Sequence, residues 1–309
     1  MSSSGGSAGA ELRIICGPTG AGKTALALEL AERHGLTVIS ADSRQLYRGF
    51  DVGTAKPTRA ERARVPHRGI DVADPSERWS AGRWAAEAGQ WISEAGPSRV
   101  LVVGGTGLYL RALVSPLFDA PPLDEERRAE LARAFATKST SELRRWVAAL
   151  DPARAHLGRA QLLRAAEVAL LTGRRISDLH RDAARTPAFR ARWLLVDPAR
   201  ALHARIAERL DAMLGGGWID EVRTLEQRVP PDAPAWQACG YETVRALARG
   251  TLAVAPAREA ILISTRQYAK RQRTWFRHQL GGERVVRVDP HDPRRAAVVE
   301  DWWSAGALE

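Results

Sequence analysis

Gly17-Pro18-Thr19-Gly20-Ala21-Gly22-Lys23-Thr24 is the stretch on which the reading of this chain turns. An apolar run at 12–16 precedes it, and Ala25-Leu26-Ala27-Leu28-Glu29-Leu30 follows with a helical pattern. Strand, glycine loop and helix, in that order, make G-x-x-x-x-G-K-[ST] a phosphate-binding loop rather than a chance string. The glycines let backbone N–H groups turn inward around an anion, and the new helix adds the positive end of its dipole. Lys23 supplies a mobile point charge, and the Thr24 hydroxyl is placed to reach a bound Mg²⁺. The loop alone leaves open which phosphate compound it holds.

Moving outward, Leu26 and Leu30 keep helical spacing until Gly35 can end the helix. Thr37-Val38-Ile39-Ser40 reads as a second strand that delivers Asp42 at its carboxyl end. Ligands of open parallel sheets sit at that end, so Asp42 is expected beside the phosphate loop. Residues 51–75 are rich in glycine and proline and read as a long ordered loop. An amphipathic helix over 80–95 carries Trp84, Ala88, Trp91 and Ala95 on one face. Val100-Leu101-Val102-Val103 is a buried strand ending in a second glycine turn, Gly104-Gly105-Thr106-Gly107-Leu108-Tyr109. Pro121-Pro122 marks a linker, and from there to about 187 the pattern is helical and basic. One helix carries Leu143, Val147 and Leu150; another carries Leu162, Leu163, Ala166 and Leu170. Strand returns at 193–196. A helix with Leu202, Ile206, Leu210 and Met213 follows, with Arg205 and Arg209 one turn apart beside its apolar stripe. The last long helix, about 256–277, interleaves Arg266, Lys270, Arg271 and Arg273 with Tyr268 and Trp275, a mixture suited to phosphates and unstacked bases. A short strand at 285–288 and a helix with Trp302 and Trp303 complete the core.

The predicted fold is α/β: a P-loop NTPase-like parallel sheet flanked by helices, with an all-helical insertion domain. A disordered tail is expected over 1–10, the core over 11–117 and 193–309, and the insertion over 118–192. The 309 residues are 45% hydrophobic and 27% charged, ordinary for a soluble globular protein. No apolar run approaches the ~20 residues that span a bilayer, and the start reads as a tail rather than a signal peptide. Cys16 and Cys239, far apart in apolar surroundings, fit a reducing cytoplasm. The formal charge of +10 favours a polyanionic partner, nucleic acid above all. Only Lys23, Lys56, Lys138 and Lys270 are lysines, so composition bias explains the choice of arginine but not the excess of positive charge.

Phosphate loop, Asp42 and Thr106 converge on one sheet edge. That edge suits phosphoryl transfer from ATP, transfer of a group away from a pyrophosphate, or nucleotide hydrolysis driving a motion. The strand at 100–103 ends in Gly104-Gly105-Thr106 and not in a carboxylate, which weakens the ATPase reading and leaves a nucleoside or nucleotide kinase open. A nucleic-acid-binding module with a vestigial loop would tolerate loss of Asp42 and Thr106, and both are present.

The order of motifs then becomes specific. The phosphate loop, Asp42-Ser43-Arg44-Gln45-Leu46-Tyr47-Arg48-Gly49, Asp51-Val52-Gly53-Thr54-Ala55-Lys56-Pro57-Thr58 and Gly104–Tyr109 resemble tRNA dimethylallyltransferases. So do Arg205, Arg209, Gly240-Tyr241-Glu242 and Thr265-Arg266-Gln267-Tyr268-Ala269-Lys270-Arg271-Gln272, and the resemblance runs from about 12 to 277. It implies transfer of a dimethylallyl group from dimethylallyl diphosphate to the exocyclic amine of the adenine 3′ of the tRNA anticodon, without ATP. By resemblance, Asp42 is the general base, Thr106 bridges the site, and Lys23, Arg209 and Mg²⁺ near Thr24 stabilise the leaving pyrophosphate. Asp42, Ser43, Arg44, Gln45, Thr106, Arg128, Gln161 and Arg164 match tRNA-contacting positions. The insertion and the basic helix with Arg266, Lys270 and Arg271 resemble the family's clamp on the anticodon stem-loop. The segment 156–161 is several residues shorter than usual, and Gln161 stands where arginine is usual. The expected protein is a cytoplasmic monomer without membrane contact.

Overall fold

The computed structural model describes residues 9–115, 123–182, 189–281 and 284–305. The tail expected over 1–10 lies outside them up to residue 8, while Ala10 already begins a strand, and the linker prolines lie outside them as well. Contacts divide the chain into two compact units, Met1–Val114 with Pro187–Glu309, and Ser115–Thr186.

In the first unit β1 (Ala10–Cys16) runs into the glycine loop, and α1 (Lys23–His34) begins where the loop ends. Gly22 caps α1 in the left-handed region (φ 94°), a conformation glycine adopts without strain. Gly35 closes the helix with its N–H on the Ala31 carbonyl, the expected stop. β2 (Thr37–Ser40) follows. The stretch 51–75, expected to be all loop, holds two short elements, α2 (Arg59–Arg64) and β3 (His67–Arg68). Thr58 and Glu61 form a reciprocal capping box at the start of α2, and β3 pairs in parallel with β2 through Val38 opposite His67.

α3 (Ala81–Ala95) buries Trp84, Ala88 and Ile92, leaving Trp91 half-buried, so the core face turns on Ile92 rather than Trp91. The Trp84 indole donates to the Ser40 carbonyl at 3.2 Å, fixing the end of β2 just before Asp42. β4 (Val100–Gly104) is buried along its whole length, and only Gly105 and Thr106 separate it from α4 (Gly107–Val114).

The second unit holds α5 (Glu125–Ala136), α6 (Thr140–Leu150), α7 (Arg159–Thr172) and α8 (Ile176–Asp182). Phe135, Leu143, Val147, Leu162, Ala166 and Ile176 form its core. Leu150 and Leu163 pack against that core, whereas Leu170 is exposed, because it has turned off the inward stripe of α7.

Returning to the first unit, β5 (Phe189–Val196) begins four residues before the expected strand, since all of β1 from Ala10 finds a parallel partner along it. Then come α9 (Leu202–Gly215), α10 (Trp218–Glu226), α11 (Tyr241–Ala248), α12 (Val254–Gln279), β6 (Val285–Val288) and α13 (Arg295–Ser304). The six strands form one parallel sheet in the order β3-β2-β4-β1-β5-β6. Its centre is apolar on both faces, with Ile14, Ile15, Ile39, Leu101, Val102 and Leu194 wholly buried, as a helix-covered parallel sheet requires. The carboxyl ends of β1, β2 and β4 are neighbours, which brings the glycine loop, Asp42 and Thr106 to one edge.

Candidate active site

The loop between β1 and α1 is held by side chains from α1 itself and from the distant α9. Lys23 Nζ donates to the Pro18 carbonyl at 2.8 Å. On α9, Arg205 Nε donates to the Gly20 carbonyl at 3.0 Å and Arg209 Nη2 donates to Thr19 Oγ1 at 2.6 Å. Burial pulls the Lys23 ammonium down to about 8; the Asp42 carboxylate opposes that shift and the Arg209 charge adds to it. The Arg209 guanidinium is lowered too, burial again being the main cause.

Asp42 is half-buried, with Oδ1 accepting from the Arg44 N–H at 2.9 Å. Thr106 binds across from β4: its N–H donates to the Ala41 carbonyl at 3.2 Å and its hydroxyl accepts from the Ser43 N–H at 3.0 Å. Backbone and hydroxyl together hold the β2 and β4 ends in one register around Asp42.

Two cavities open here. One, of about 540 Å³, is lined by the phosphate loop with Lys23 and Thr24, and by Gln45, Lys56, Arg205, Glu208 and Gln272. The other, of about 460 Å³, is lined by α12 through Ser264, Gln267, Tyr268 and Arg271, and by Ile206, Leu210, Met213, Trp218 and Trp236. Thr19, Asp42, Thr54 and Arg209 belong to both. One cavity is therefore shaped for an anion. The second is aromatic and mixed in polarity, and a carboxylate and a guanidinium stand on the shared wall.

The segment 51–57 that supplies Thr54 is fixed by buried polar contacts. The Lys56 ammonium, almost wholly buried, donates to the Tyr47 carbonyl at 2.6 Å, Asp51 Oδ1 at 2.7 Å and Asp71 Oδ1 at 2.5 Å. Glu221 accepts from the N–H groups of Asp51 and Val52, and from the Tyr241 hydroxyl at 2.6 Å. Gln45 Nε2 donates to the Thr54 and Ala55 carbonyls at 3.3 and 3.1 Å, and its Oε1 accepts from Ser40 Oγ at 2.9 Å. The amide of Gln45, expected at RNA, is thus spent inside the fold. Thr54, Lys56, Glu221 and Gln272 also belong to the site, beyond the residues expected from the sequence. The run from Asp51 to Thr58 signals the first two and the run from Thr265 to Gln272 signals the last, while no motif signals Glu221.

The other expected nucleic-acid contacts are scattered. Arg44 Nη1 donates to the Pro234 carbonyl at 3.3 Å. On the helical unit, Arg128 and Arg164 both pair with Glu167, at 3.4 and 3.2 Å, and Gln161 Oε1 accepts from the Gly158 N–H at 3.3 Å. Along α12, Lys270 and Arg271 are exposed, Arg266 is half-buried, and Arg271 lies 5.8 Å from the Tyr268 ring centre. Arg273 departs from expectation: its guanidinium is tied to the Asp197 carboxylate and the Ala199 carbonyl, so it braces the end of β5 instead of joining the basic face.

The IPP transferase family profile matches residues 45–279, and an isopentenyl transferase profile matches 10–67. The chain belongs to the IPP transferase family. This transferase is 43% identical over 289 residues to the tRNA dimethylallyltransferase of Anaeromyxobacter sp. (strain K), covering 91% of this chain and 94% of that one. It is 40% identical to the enzyme of the same name from Deinococcus radiodurans, over 87% of this chain and 90% of that one. Among solved structures, the tRNA isopentenylpyrophosphate transferase of Bacillus halodurans superposes with a TM-score of 0.65 at 32% identity, covering 96% and 97% of the two chains. The family is one of prenyl transferases using dimethylallyl diphosphate as donor, so the kinase alternative is not favoured. Among the described residues no helix is long and apolar enough to cross a membrane.

Proposed function

We propose that this transferase moves the dimethylallyl group of dimethylallyl diphosphate to the exocyclic N6 amine of the adenine 3′ of the anticodon in tRNA, releasing pyrophosphate. The observation that carries the reading is the shared wall: an anion cavity meets a second cavity at Thr19, Asp42, Thr54 and Arg209. The diphosphate occupies the loop cavity, and the flipped adenine enters the other, at an unstacking cost of a few kcal/mol. At the wall the donor C1–O bond breaks while the N6–C1 bond forms. Asp42 takes the amine proton, and the electron pair of the broken bond leaves on pyrophosphate beside Lys23 and Arg209. Fixed charges of this kind contribute about 3–4 kcal/mol each to a transition state.

Mg²⁺ fits the anion cavity, where the Thr24 hydroxyl is an oxygen ligand of the kind a hard cation takes. No cluster of three or more His, Cys, Asp or Glu among the described residues makes a protein-only metal site, so Thr24, diphosphate oxygens and water would hold the ion. When bound, it neutralises charge on the diphosphate.

We assign the tRNA contacts to Arg128, Gln161 and Arg164 of the helical unit and to Arg266, Lys270 and Arg271 of α12, with the anticodon stem-loop as the bound element. Ser43 and Arg44 flank Asp42 at the acceptor. The protein works as a cytoplasmic monomer, on this reading. The test follows product and not binding, because ATP phosphates could also enter a phosphate loop. The protein is incubated with Mg²⁺, a stem-loop bearing adenines 3′ of the anticodon, and either dimethylallyl diphosphate or ATP. A gain of one C5H8 unit on adenine, abolished by Lys23→Ala, supports the reading; phosphate transferred from ATP with no prenyl adduct overturns it.

A further inference from the structure

Gln272 lies on α12, one turn beyond Tyr268, and is 7% exposed. Its Oε1 accepts from the Thr19 N–H at 2.8 Å, and its Nε2 donates to the Gly105 carbonyl at 2.9 Å. A glycine is needed at 105 for this approach, since a Cβ there would lie 2.5 Å from the Gln272 amide nitrogen. The amide therefore joins two loops that leave neighbouring strands β1 and β4. The first loop carries Thr19 of the shared wall, and the second reaches that wall through Thr106, which holds the backbone next to Asp42. Thr19 receives Arg209 Nη2 at 2.6 Å, and Gly105 precedes Thr106, whose hydroxyl receives the Ser43 N–H beside Asp42.

We propose that Gln272 is a positioning residue for the transfer, setting the spacing between Arg209 on the leaving-group side and Asp42 on the amine side through Thr19 and Gly105. Neither reacting group touches the amide. It acts by holding both loops in one register, and it does so from the helix whose next turn back, Gln267, Tyr268 and Arg271, lines the acceptor cavity. A small misplacement of a reacting pair costs up to about a hundredfold in rate, while donor affinity rests mainly on the charged groups Lys23 and Arg209 and much less on the neutral Gln272 amide, whose two polar atoms at the cavity wall are bonded to Thr19 and Gly105. The inference rests on the transfer reading above.

Gln272→Met keeps the side-chain length and removes both hydrogen bonds. Expected are a kcat lower by about 10- to 100-fold, and dissociation constants for donor and stem-loop within about threefold of the parent. Thr19→Val keeps the Gln272 bond to the backbone and removes the hydroxyl that receives Arg209; it should reproduce much of the kcat loss without touching the buried amide. In an Arg209→Ala background, Gln272→Met should cost less than about threefold further, because the cation it positions is gone. A purely structural role would instead lower the melting temperature, weaken both substrates and multiply with Arg209→Ala. Turnover of Gln272→Met near that of the parent overturns the inference and leaves the transfer reading standing. A parent protein that forms no prenyl adduct overturns both.

Discussion

Lys23 is a cation that the fold itself weakens. Desolvation brings it to about 8, so the free protein keeps its charge below that pH and loses it above. A bound diphosphate favours the charged form and raises the value in the complex. The sign follows: kcat/KM for the donor, which reports the free enzyme, should fall as pH rises through about 8, whereas kcat should hold to higher pH. Lys23→Arg, charged throughout, should remove the break even if its rate is lower. A donor kcat/KM that stays flat well past pH 8 would show that Lys23 is not the titrating cation. Asp42 gives a second prediction at this scale. Its Oδ1 accepts the Arg44 N–H, a bond that the amide oxygen of asparagine can keep. Asp42→Asn should therefore bind both substrates nearly as the parent does, yet turn over ~100-fold more slowly, the scale of a lost general base. Near-normal turnover would make Asp42 a loop support only.

α12 illustrates what an element does with a mixed sequence. Its 26 residues wind four functions around one axis: cavity lining at Gln267, Tyr268 and Arg271, core at Ala269 and Phe276, loop clip at Gln272, and a brace to Asp197 at Arg273. If Lys270 and Arg271 reach tRNA phosphates, replacing both by alanine should flatten the slope of log affinity against log salt by about one to two units. Arg273→Ala should leave that slope unchanged and lower the melting temperature, since an ion pair to Asp197 is lost. A double Lys270/Arg271 variant with the parent's slope would remove α12 from the RNA surface. The helix was legible in the sequence because its apolar period persists for many turns. The elements α2 and β3 were not, being six and two residues long, too short to show a period. The Thr58–Glu61 capping box was the one signal for α2. Arg273 read as free charge because its partner Asp197 lies 76 residues away, and nothing in a single sequence announces such a pair. The same holds for Gln272, whose partners Thr19 and Gly105 come from two other loops.

At the scale of the whole molecule, the site follows from strand order. The sheet order β3-β2-β4-β1-β5-β6 makes β1 and β2 both neighbours of β4, so three strand ends deliver the phosphate loop, Asp42 and Thr106 side by side. The three turns were readable from sequence because each carries a short motif at a strand end; that they open into two cavities was not, because α9, α11 and α12 supply most of the second. The shared wall has a stereochemical consequence. With the donor diphosphate and the acceptor amine placed as proposed, on opposite sides of Thr19, Asp42, Thr54 and Arg209, the entering nitrogen stands opposite the departing oxygen at C1. A direct displacement across that wall inverts C1. A covalent intermediate on Asp42 would need two displacements and would retain configuration, and it would deprive the amine of its base. Dimethylallyl diphosphate made chiral at C1 with a single deuterium should therefore give adenine product of inverted configuration, read by NMR of the isolated nucleoside. Net retention would replace direct attack by a covalent step at Asp42, and a racemic product would mean that the allylic cation lives long enough to rotate between the two cavities.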